Sequence, residues 1–206
     1  MLAICLDLEG VLVPEIWINV AERTGIKQLM RTTRDEPDYD RLMAYRLGIL
    51  DDKDIKIGDI TSIIESMEPF QGAREFLISL QSRWPTFILS DTFSQFAKPM
   101  MAKLGHPTLL CHSLVIDDSG RIEDWEIRCQ NHKHKTVEAL KQMNYDVIAA
   151  GDSYNDTDML ASASIGVLYR PPDNVIAEFP QFPVMTDYSQ LMVAIESAAM
   201  DLGERW

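Results

Sequence analysis

Two acidic residues, Asp7 and Glu9, follow the first apolar run of the chain. Residues two apart on an extended chain point to the same side, so both carboxyl groups face one space. Two carboxyl groups this close repel one another unless a cation or a shared proton offsets their charge. One is suited to act as a nucleophile or metal ligand and the other as a general acid. The alternative is an acidic turn after a strand, with no chemistry attached.

A second polar group, Ser90-Asp91-Thr92, follows the apolar residues Ile88 and Leu89. A hydroxyl group and free backbone N–H groups at a strand-to-helix turn can hold the oxygens of a phosphate group. Serine is also a common N-cap, so the competing interpretation is that Ser90 only begins the next helix.

A third group, Gly151-Asp152-Ser153-Tyr154-Asn155-Asp156, follows another apolar run. Two acids four residues apart, with Asn155 between them, suit a hard cation that prefers oxygen ligands. Mg²⁺ is favoured over Ca²⁺ because few carboxylates are offered. A helix N-cap would also explain an Asp or Asn here, but a cap needs one such residue and not a cluster.

Lys133 lies in a basic run, Asn131-His132-Lys133-His134-Lys135, at the predicted start of a helix. Such a run is usually solvated, and the helix macrodipole opposes cations at this end. The chain carries a net charge of −13, which argues against nucleic-acid binding. A local cluster of Mg²⁺ and basic side chains can still attract an anion, and Lys133 is a candidate for that role.

The elements that must position these groups alternate between two types. Short apolar runs predict buried strands, and amphipathic runs between them predict helices; together they indicate a parallel α/β sheet flanked by helices. Ligands bind such sheets beyond the carboxyl ends of the strands. The predicted strands are Leu2–Leu6, Thr86–Leu89, Val147–Ala150, Ile165–Leu168 and Pro183–Met185, and the predicted helices are Ala73–Arg83, Lys135–Met143 and Tyr188–Leu202.

Residues 14–72 interrupt this alternation. They predict helices without a strand, at Glu15–Thr24, Tyr39–Leu50 and Gly58–Glu65. We interpret them as a helical cap domain inserted after the first strand, with residues 1–13 and 73–206 forming the core domain. Leu109–Ile116 and Arg121–Cys129 flank the turn Asp117-Asp118-Ser119-Gly120 and predict an antiparallel hairpin beside the main sheet.

Composition narrows the cellular setting. The three cysteines, Cys5, Cys111 and Cys129, are odd in number and fit no metal motif, which favours a reduced cytoplasmic interior. The first residues do not resemble a signal peptide, and no apolar run is long enough to span a bilayer, so we expect no membrane partner. A homodimer through the C-terminal helix or the hairpin stays open, because an amphipathic helix more often packs on its own sheet.

Taken in order, the four groups resemble the four motifs of the haloacid dehalogenase (HAD) superfamily of phosphatases. Within it the chain is similar to phosphoserine phosphatases, and more closely to those of the ThrH type, which are reported also to transfer phosphate from phosphoserine to homoserine. The resemblance runs nearly end to end. Glu9 departs from the second Asp that is usual in the superfamily but agrees with the ThrH type. The expected fold is a HAD-like Rossmannoid sheet with the cap after its first strand.

The resemblance implies a role for each residue. Asp7 would attack phosphorus and become an aspartyl phosphate, while Glu9 would protonate the leaving oxygen and then deprotonate the acceptor. The Mg²⁺ ligands would be the Asp7 carboxylate, the Glu9 carbonyl and Asp152. The remaining positions would support them: Asp156 would orient Asp152 or a metal-bound water, the Ser90 hydroxyl, the Asp91 amide and Lys133 would bind phosphate, and Asn155 would face the same pocket.

Two residues of the cap match substrate-binding positions of phosphoserine phosphatases. Glu15 would pair with the substrate ammonium group and Arg46 with its carboxylate. From the sequence alone, a helix-start Glu and a solvated Arg are the better explanations, and the family resemblance reverses that order. The other readings are a HAD phosphatase of a different small phosphometabolite and a catalytically inactive HAD domain that serves as a binding module. The intact set of Asp7, Glu9, Lys133 and Asp152 argues against the inactive domain.

Overall fold

The sheet is the scaffold on which the polar groups are arranged. The computed structural model describes residues 1–33, 35–36 and 38–203. Within them the strands form one seven-stranded sheet of order β4-β3-β2-β1-β5-β6-β7, parallel except for the antiparallel pair β3–β4. The strands are β1 (Leu2–Leu6), β2 (Thr86–Phe93), β3 (Thr108–Ile116), β4 (Ile122–Glu126), β5 (Asp146–Gly151), β6 (Ile165–Tyr169) and β7 (Val184–Met185).

Helices cover both faces of this sheet, as the alternation predicts. Leu2, Ile4 and Leu6 of β1 point into one apolar layer, and Ala3 and Cys5 point into the other, so the strand reads as one continuous apolar run. The helices are α1 (Ile16–Thr24), α2 (Tyr39–Asp52), α3 (Ile57–Glu65), α4 (Ala73–Gln81), α5 (Ser94–Lys103), α6 (His132–Gln142), α7 (Thr157–Ser162), α8 (Asp173–Glu178) and α9 (Tyr188–Asp201). No helix of the described residues is long and apolar enough to cross a membrane.

Residues 14–72, called the cap segment below, contain α1, α2 and α3, as the sequence predicts. The hairpin prediction is correct in kind but needs two refinements. Strand β3 pairs in parallel with β2 and so belongs to the main sheet, and β4 ends at Glu126 rather than Cys129. The hairpin also contacts the cap segment, because Arg121 forms a two-pronged ion pair with Asp51 and the Ile57 amide donates to the Gly120 carbonyl at 2.9 Å.

Strand β2 differs most from its prediction. It continues four residues past Leu89 to Phe93, and its pairing with β3 shifts register between Leu89 and Phe93. Ser90 and Asp91 therefore lie in this irregular stretch and not in a turn after the strand. The N-cap of α5 is Phe93, so the interpretation of Ser90 as a helix cap is wrong.

Candidate active site

One cavity at the carboxyl ends of β1, β2 and β5 gathers nearly all of the predicted site residues. Its volume is about 640 Å³, within the usual range for small-molecule sites. Asp156 lies behind its wall. The cavity is lined by the other predicted residues: Asp7, Glu9, Glu15, Arg46, Ser90, Asp91, Lys133, Asp152 and Asn155.

Lys133 is at the centre of the site. Its side chain is only 3% exposed, and Nζ donates to Asp7 Oδ1 and Asp156 Oδ1, each at 2.8 Å. Asp91 Oδ2 lies 3.6 Å from the same nitrogen. Burial alone would lower the pKa of Lys133, but the surrounding carboxylates raise it well above its usual value. The lysine is therefore charged and held, not solvated as a basic run usually is.

Asp156 acts on the loop around it. Its Oδ2 accepts hydrogen bonds from the amides of Asp152 (3.0 Å) and Ser153 (3.2 Å), and its Oδ1 accepts from Lys133. Gly151 is required beside it, because a Cβ at that position would lie 2.4 Å from the Asp156 side chain. Both Asp156 oxygens are occupied by donors, which suits a residue that orients the site rather than a metal ligand.

The acidic residues need more positive charge than Lys133 supplies. Carboxylate oxygens of Asp7, Asp152 and Asp156 lie within 4.8 Å of one another, and all three residues are buried. Burial, and then the charge of Asp156, raise the pKa of Asp7 well above its usual range and that of Asp152 to about 7. A hard divalent cation would relieve this repulsion, and its preference for oxygen matches the groups present. The donor set therefore fits Mg²⁺.

Glu9 is arranged to carry a proton. Its Oε2 accepts a hydrogen bond of 2.8 Å from the amide of Ile16, the first residue of α1. Burial, and then the charge of Glu15, raise the pKa of Glu9 to about 8, and the two carboxyl groups share a hydrogen bond. Glu9 is thus protonated near neutral pH, as a general acid must be.

Arg46 is buried in the cavity wall, so the interpretation as a solvated arginine is wrong. Only 6% of the residue is exposed, and its guanidinium lies 4.5 Å from the centroid of the Trp17 ring. One terminal nitrogen donates to the Arg31 carbonyl at 2.8 Å, and Nε is buried with no hydrogen-bond partner among the described residues. Glu15 lies near the Arg46 charge, at the N-cap of α1 without capping it.

Gly10 allows the loop after β1, which carries Asp7, to lie close to the loop after β5, which carries Asp152. It has a φ of +78°, and a Cβ there would lie 2.4 Å from the carboxyl group of Asp152. The Asp7 amide continues the β1–β5 ladder by donating to Ala150 at 2.9 Å, which brings Asp7 beside the loop that carries Asp152. A side chain at position 10 would push these groups apart.

Sequence reasoning missed several residues around the site. Tyr39 and Trp17 of the cap segment line the cavity, as does Arg170 after β6. His112 and His132 lie beside Asp91, with their Nε2 atoms 3.6 Å and 3.1 Å from Asp91 Oδ1. His132 adjoins Lys133 in the basic run, and that was the one available signal. The other residues have the ordinary appearance of helix or strand residues.

With this geometry in place, comparison with known proteins gives a consistent result. A family model described as haloacid dehalogenase-like hydrolase matches residues 1–164. The chain belongs to this family. It is 56% identical over 187 residues to the phosphoserine phosphatase ThrH of Pseudomonas aeruginosa, covering 91% of each chain. It is 53% identical over 187 residues to a phosphoserine phosphatase of Pseudomonas syringae, covering 91% of this chain and 79% of that relative.

The fold agrees with this assignment. A substrate-bound phosphoserine phosphatase complex superposes with a TM-score of 0.77 at 20% identity, covering 93% of this chain and 97% of that one. A phospho-aspartyl intermediate analogue of phosphoserine phosphatase gives a TM-score of 0.76 at 20% identity, with the same coverage. The expected HAD-like α/β fold is therefore confirmed.

The close approach at Gly10 generates a prediction. Gly10→Ala should weaken Mg²⁺ binding at least about tenfold, because the new methyl group displaces the Asp152 carboxyl group from its place. Titration calorimetry with Mg²⁺ measures this change. Gly48→Ala is the matched control, since Gly48 lies in α2 with nothing within 4 Å of the place a Cβ would take. Wild-type Mg²⁺ affinity in Gly10→Ala would show that the two loops need not meet there.

Proposed function

We propose that this chain is a Mg²⁺-dependent phosphoserine phosphatase that forms an aspartyl phosphate on Asp7. The observation that carries the proposal is that Asp7, held by Lys133 at 2.8 Å, lines the same cavity as Glu9, whose pKa is raised to about 8 by burial and by the charge of Glu15. The relatives named phosphoserine phosphatase, which are similar over 91% of this chain, support the choice of substrate.

The first step joins Asp7 to the phosphoryl group. One carboxylate oxygen of Asp7 forms a bond to phosphorus as the bond from phosphorus to the seryl oxygen breaks. Glu9 gives its proton to that oxygen, and serine leaves as an alcohol. Ser90 supports this step with its hydroxyl group, because its Oγ already accepts from the Thr92 amide at 3.2 Å and its own hydrogen is left to donate.

The second step returns the enzyme to its starting state. Glu9, now a carboxylate, takes a proton from water while the water oxygen forms a bond to phosphorus and the Asp7–phosphorus bond breaks. Inorganic phosphate leaves, and Glu9 is again protonated. The residues that would hold Mg²⁺ are Asp7, Asp152 and the Glu9 carbonyl, and the ion would supply charge neutralisation at the phosphoryl oxygens.

Substrate choice is assigned to the cap segment. Arg46 is fixed over Trp17 with its guanidinium in the cavity wall, which suits recognition of a carboxylate at a fixed position. Glu15 lines the same cavity, where it would pair with the ammonium group of the substrate. These two contacts distinguish an amino-acid phosphate from a sugar phosphate or nucleotide.

This assignment predicts a selective defect. Arg46→Ala should lower kcat/KM for phosphoserine by at least about thirtyfold, the loss expected for a charge-assisted contact. The same change should leave turnover of p-nitrophenyl phosphate, which has no carboxylate, nearly unchanged. Arg41→Ala is the control, since that side chain lies on the same helix and is 77% exposed. An equal loss on both substrates would favour a phosphatase of another phosphometabolite.

Glu15 and Arg46, which we call the clamp, also offer a route for transfer of the phosphoryl group to a second amino acid. After serine leaves, the space between Glu15 and Arg46 is empty while Asp7 carries the phosphoryl group. Homoserine has the same ammonium and carboxylate groups and a terminal hydroxyl, so the clamp would hold that hydroxyl near phosphorus at high effective concentration. Glu9 would then deprotonate homoserine in place of water. We propose this transfer as a second reaction of the site.

The acceptor assay tests transfer directly. Phosphoserine is incubated with the enzyme, with and without homoserine, and phosphohomoserine and inorganic phosphate are measured together. We expect phosphohomoserine to form at the expense of inorganic phosphate, and Arg46→Ala to reduce its share because the acceptor loses its clamp. If phosphohomoserine never forms and phosphate release is unchanged, transfer is not a reaction of this chain.

A further inference from the structure

A second cluster of polar side chains lies against the site, on the far side of Asp91. His112 from β3 and His132 from the start of α6 are 4% and 2% exposed, and their ring centroids are 4.5 Å apart. Their Nε2 atoms face the same oxygen, Asp91 Oδ1, at 3.6 Å for His112 and 3.1 Å for His132. Two imidazoles therefore converge on one carboxylate oxygen.

The other atoms of Asp91 are also held. Its Oδ2 accepts a hydrogen bond of 3.0 Å from Asn155 Nδ2 and lies 3.6 Å from Lys133 Nζ. Its main-chain carbonyl accepts from the Tyr39 hydroxyl, in the cap segment, at 3.0 Å. Burial acts to raise the pKa of Asp91, but Lys133 and the donors on His112, His132 and Asn155 hold it well below its usual range. Asp91 is thus a charged acceptor shared by β3, the start of α6, the loop after β5 and the cap segment.

Two histidines and an aspartate in this arrangement can also bind a metal ion, and their ligand atoms lie within 4.8 Å of one another. The surroundings of the two Nδ1 atoms argue against a metal ion at this cluster. The Arg128 amide donates to His112 Nδ1 at 3.3 Å, which leaves the ring hydrogen on Nε2. His132 Nδ1 is buried with no hydrogen-bond partner among the described residues. A metal at Nε2 would put hydrogen on both Nδ1 atoms, with no acceptor for either.

We propose that Asp91 is a positioning residue for the phosphoryl group, which His112 and His132 hold so that Lys133 and Asn155 are correctly placed. This proposal rests on the proposed phosphatase function. The two imidazole N–H groups fix one oxygen of Asp91. The other oxygen then fixes Asn155 and supports the Lys133 charge, while the main chain beside Ser90 keeps its phosphate-binding conformation.

Replacing Asp91 by Asn tests this arrangement with little change in shape. If the new amide nitrogen takes the place of Oδ2, it faces two other donors, Asn155 Nδ2 and Lys133 Nζ. If the amide is turned over, its nitrogen faces the two imidazole N–H groups instead. We expect kcat/KM to fall at least about tenfold on phosphoserine and on p-nitrophenyl phosphate alike, mostly through kcat. The two losses are equal because Asp91 acts on the phosphoryl end and not on the amino-acid end.

A pair of substitutions at His132 separates positioning from packing. His132→Gln keeps an N–H group near the place of Nε2 and should stay within about threefold of wild type, whereas His132→Leu fills the space without a donor and should resemble Asp91→Asn. His134→Gln is the control, because His134 lies on the same helix outside the cavity. Thermal unfolding of each variant checks that the fold is retained. If His132→Leu does not fold, Asp91→Asn carries the test.

Three results would overturn the proposal. Asp91→Asn with wild-type kinetics on both substrates would show that the carboxylate positions nothing. A loss of kcat/KM confined to phosphoserine would show that Asp91 acts in recognition of the amino-acid end of the substrate. Stoichiometric Zn²⁺ binding to Asp152→Asn protein, abolished by His132→Gln, would make the cluster a metal site. If wild type does not act on phosphoserine, the proposed function fails, and p-nitrophenyl phosphate still tests Asp91.

Discussion

The arrangement of the site depends on one interaction, the ion pairs between a charged, buried lysine and the carboxylates around it. Lys133 donates to Asp7 and Asp156 at 2.8 Å each, and Asp152 lies in the same buried group. Burying this many like charges costs free energy unless cations offset them, and one lysine offsets only part. The fold builds this group from the ends of β1 and β5 and the start of α6. Binding a cation would account for the free energy that this burial costs.

The second constraint is that the acids must be close but chemically different. Burial and the charge of Asp156 raise the pKa of Asp7 well above its usual range, but Asp7 has Lys133 beside it and lies among the carboxylates that would hold Mg²⁺, and both cations would favour its ionised form. Glu9 is instead beside Glu15, and its pKa is raised to about 8. Separate environments for two carboxyl groups are what acid–base chemistry at neutral pH requires. Glu9 is one methylene longer than the Asp usual in the superfamily, and its contact with the Ile16 amide fixes where that extra length goes. The cap segment thus helps to set the proton position as well as the proposed substrate contacts.

Much of this arrangement could be predicted from the sequence. The apolar strand β1 and the polar residues after β1 and β5 are local signals, and order along a parallel sheet brings their ends together. What escaped prediction depends on contacts between distant segments. The register shift in β2 places Ser90 and Asp91 within a strand, and the packing of α2 on Trp17 buries Arg46. Neither the register shift nor the burial of Arg46 has a local signature in the sequence, because each depends on which distant segment packs against it. The division into core and cap domains stays a prediction.

The central claim is that Asp7 itself carries the phosphoryl group. The most direct measurement mixes enzyme, Mg²⁺ and phosphoserine, quenches the mixture in acid within the first turnover and maps modified peptides by mass spectrometry. The account predicts a phosphorylated peptide with the added group on Asp7, which disappears with time and is absent from Asp7→Asn protein. Rapid phosphate release with no modified Asp7 at any time, or substantial turnover by Asp7→Asn, would contradict it.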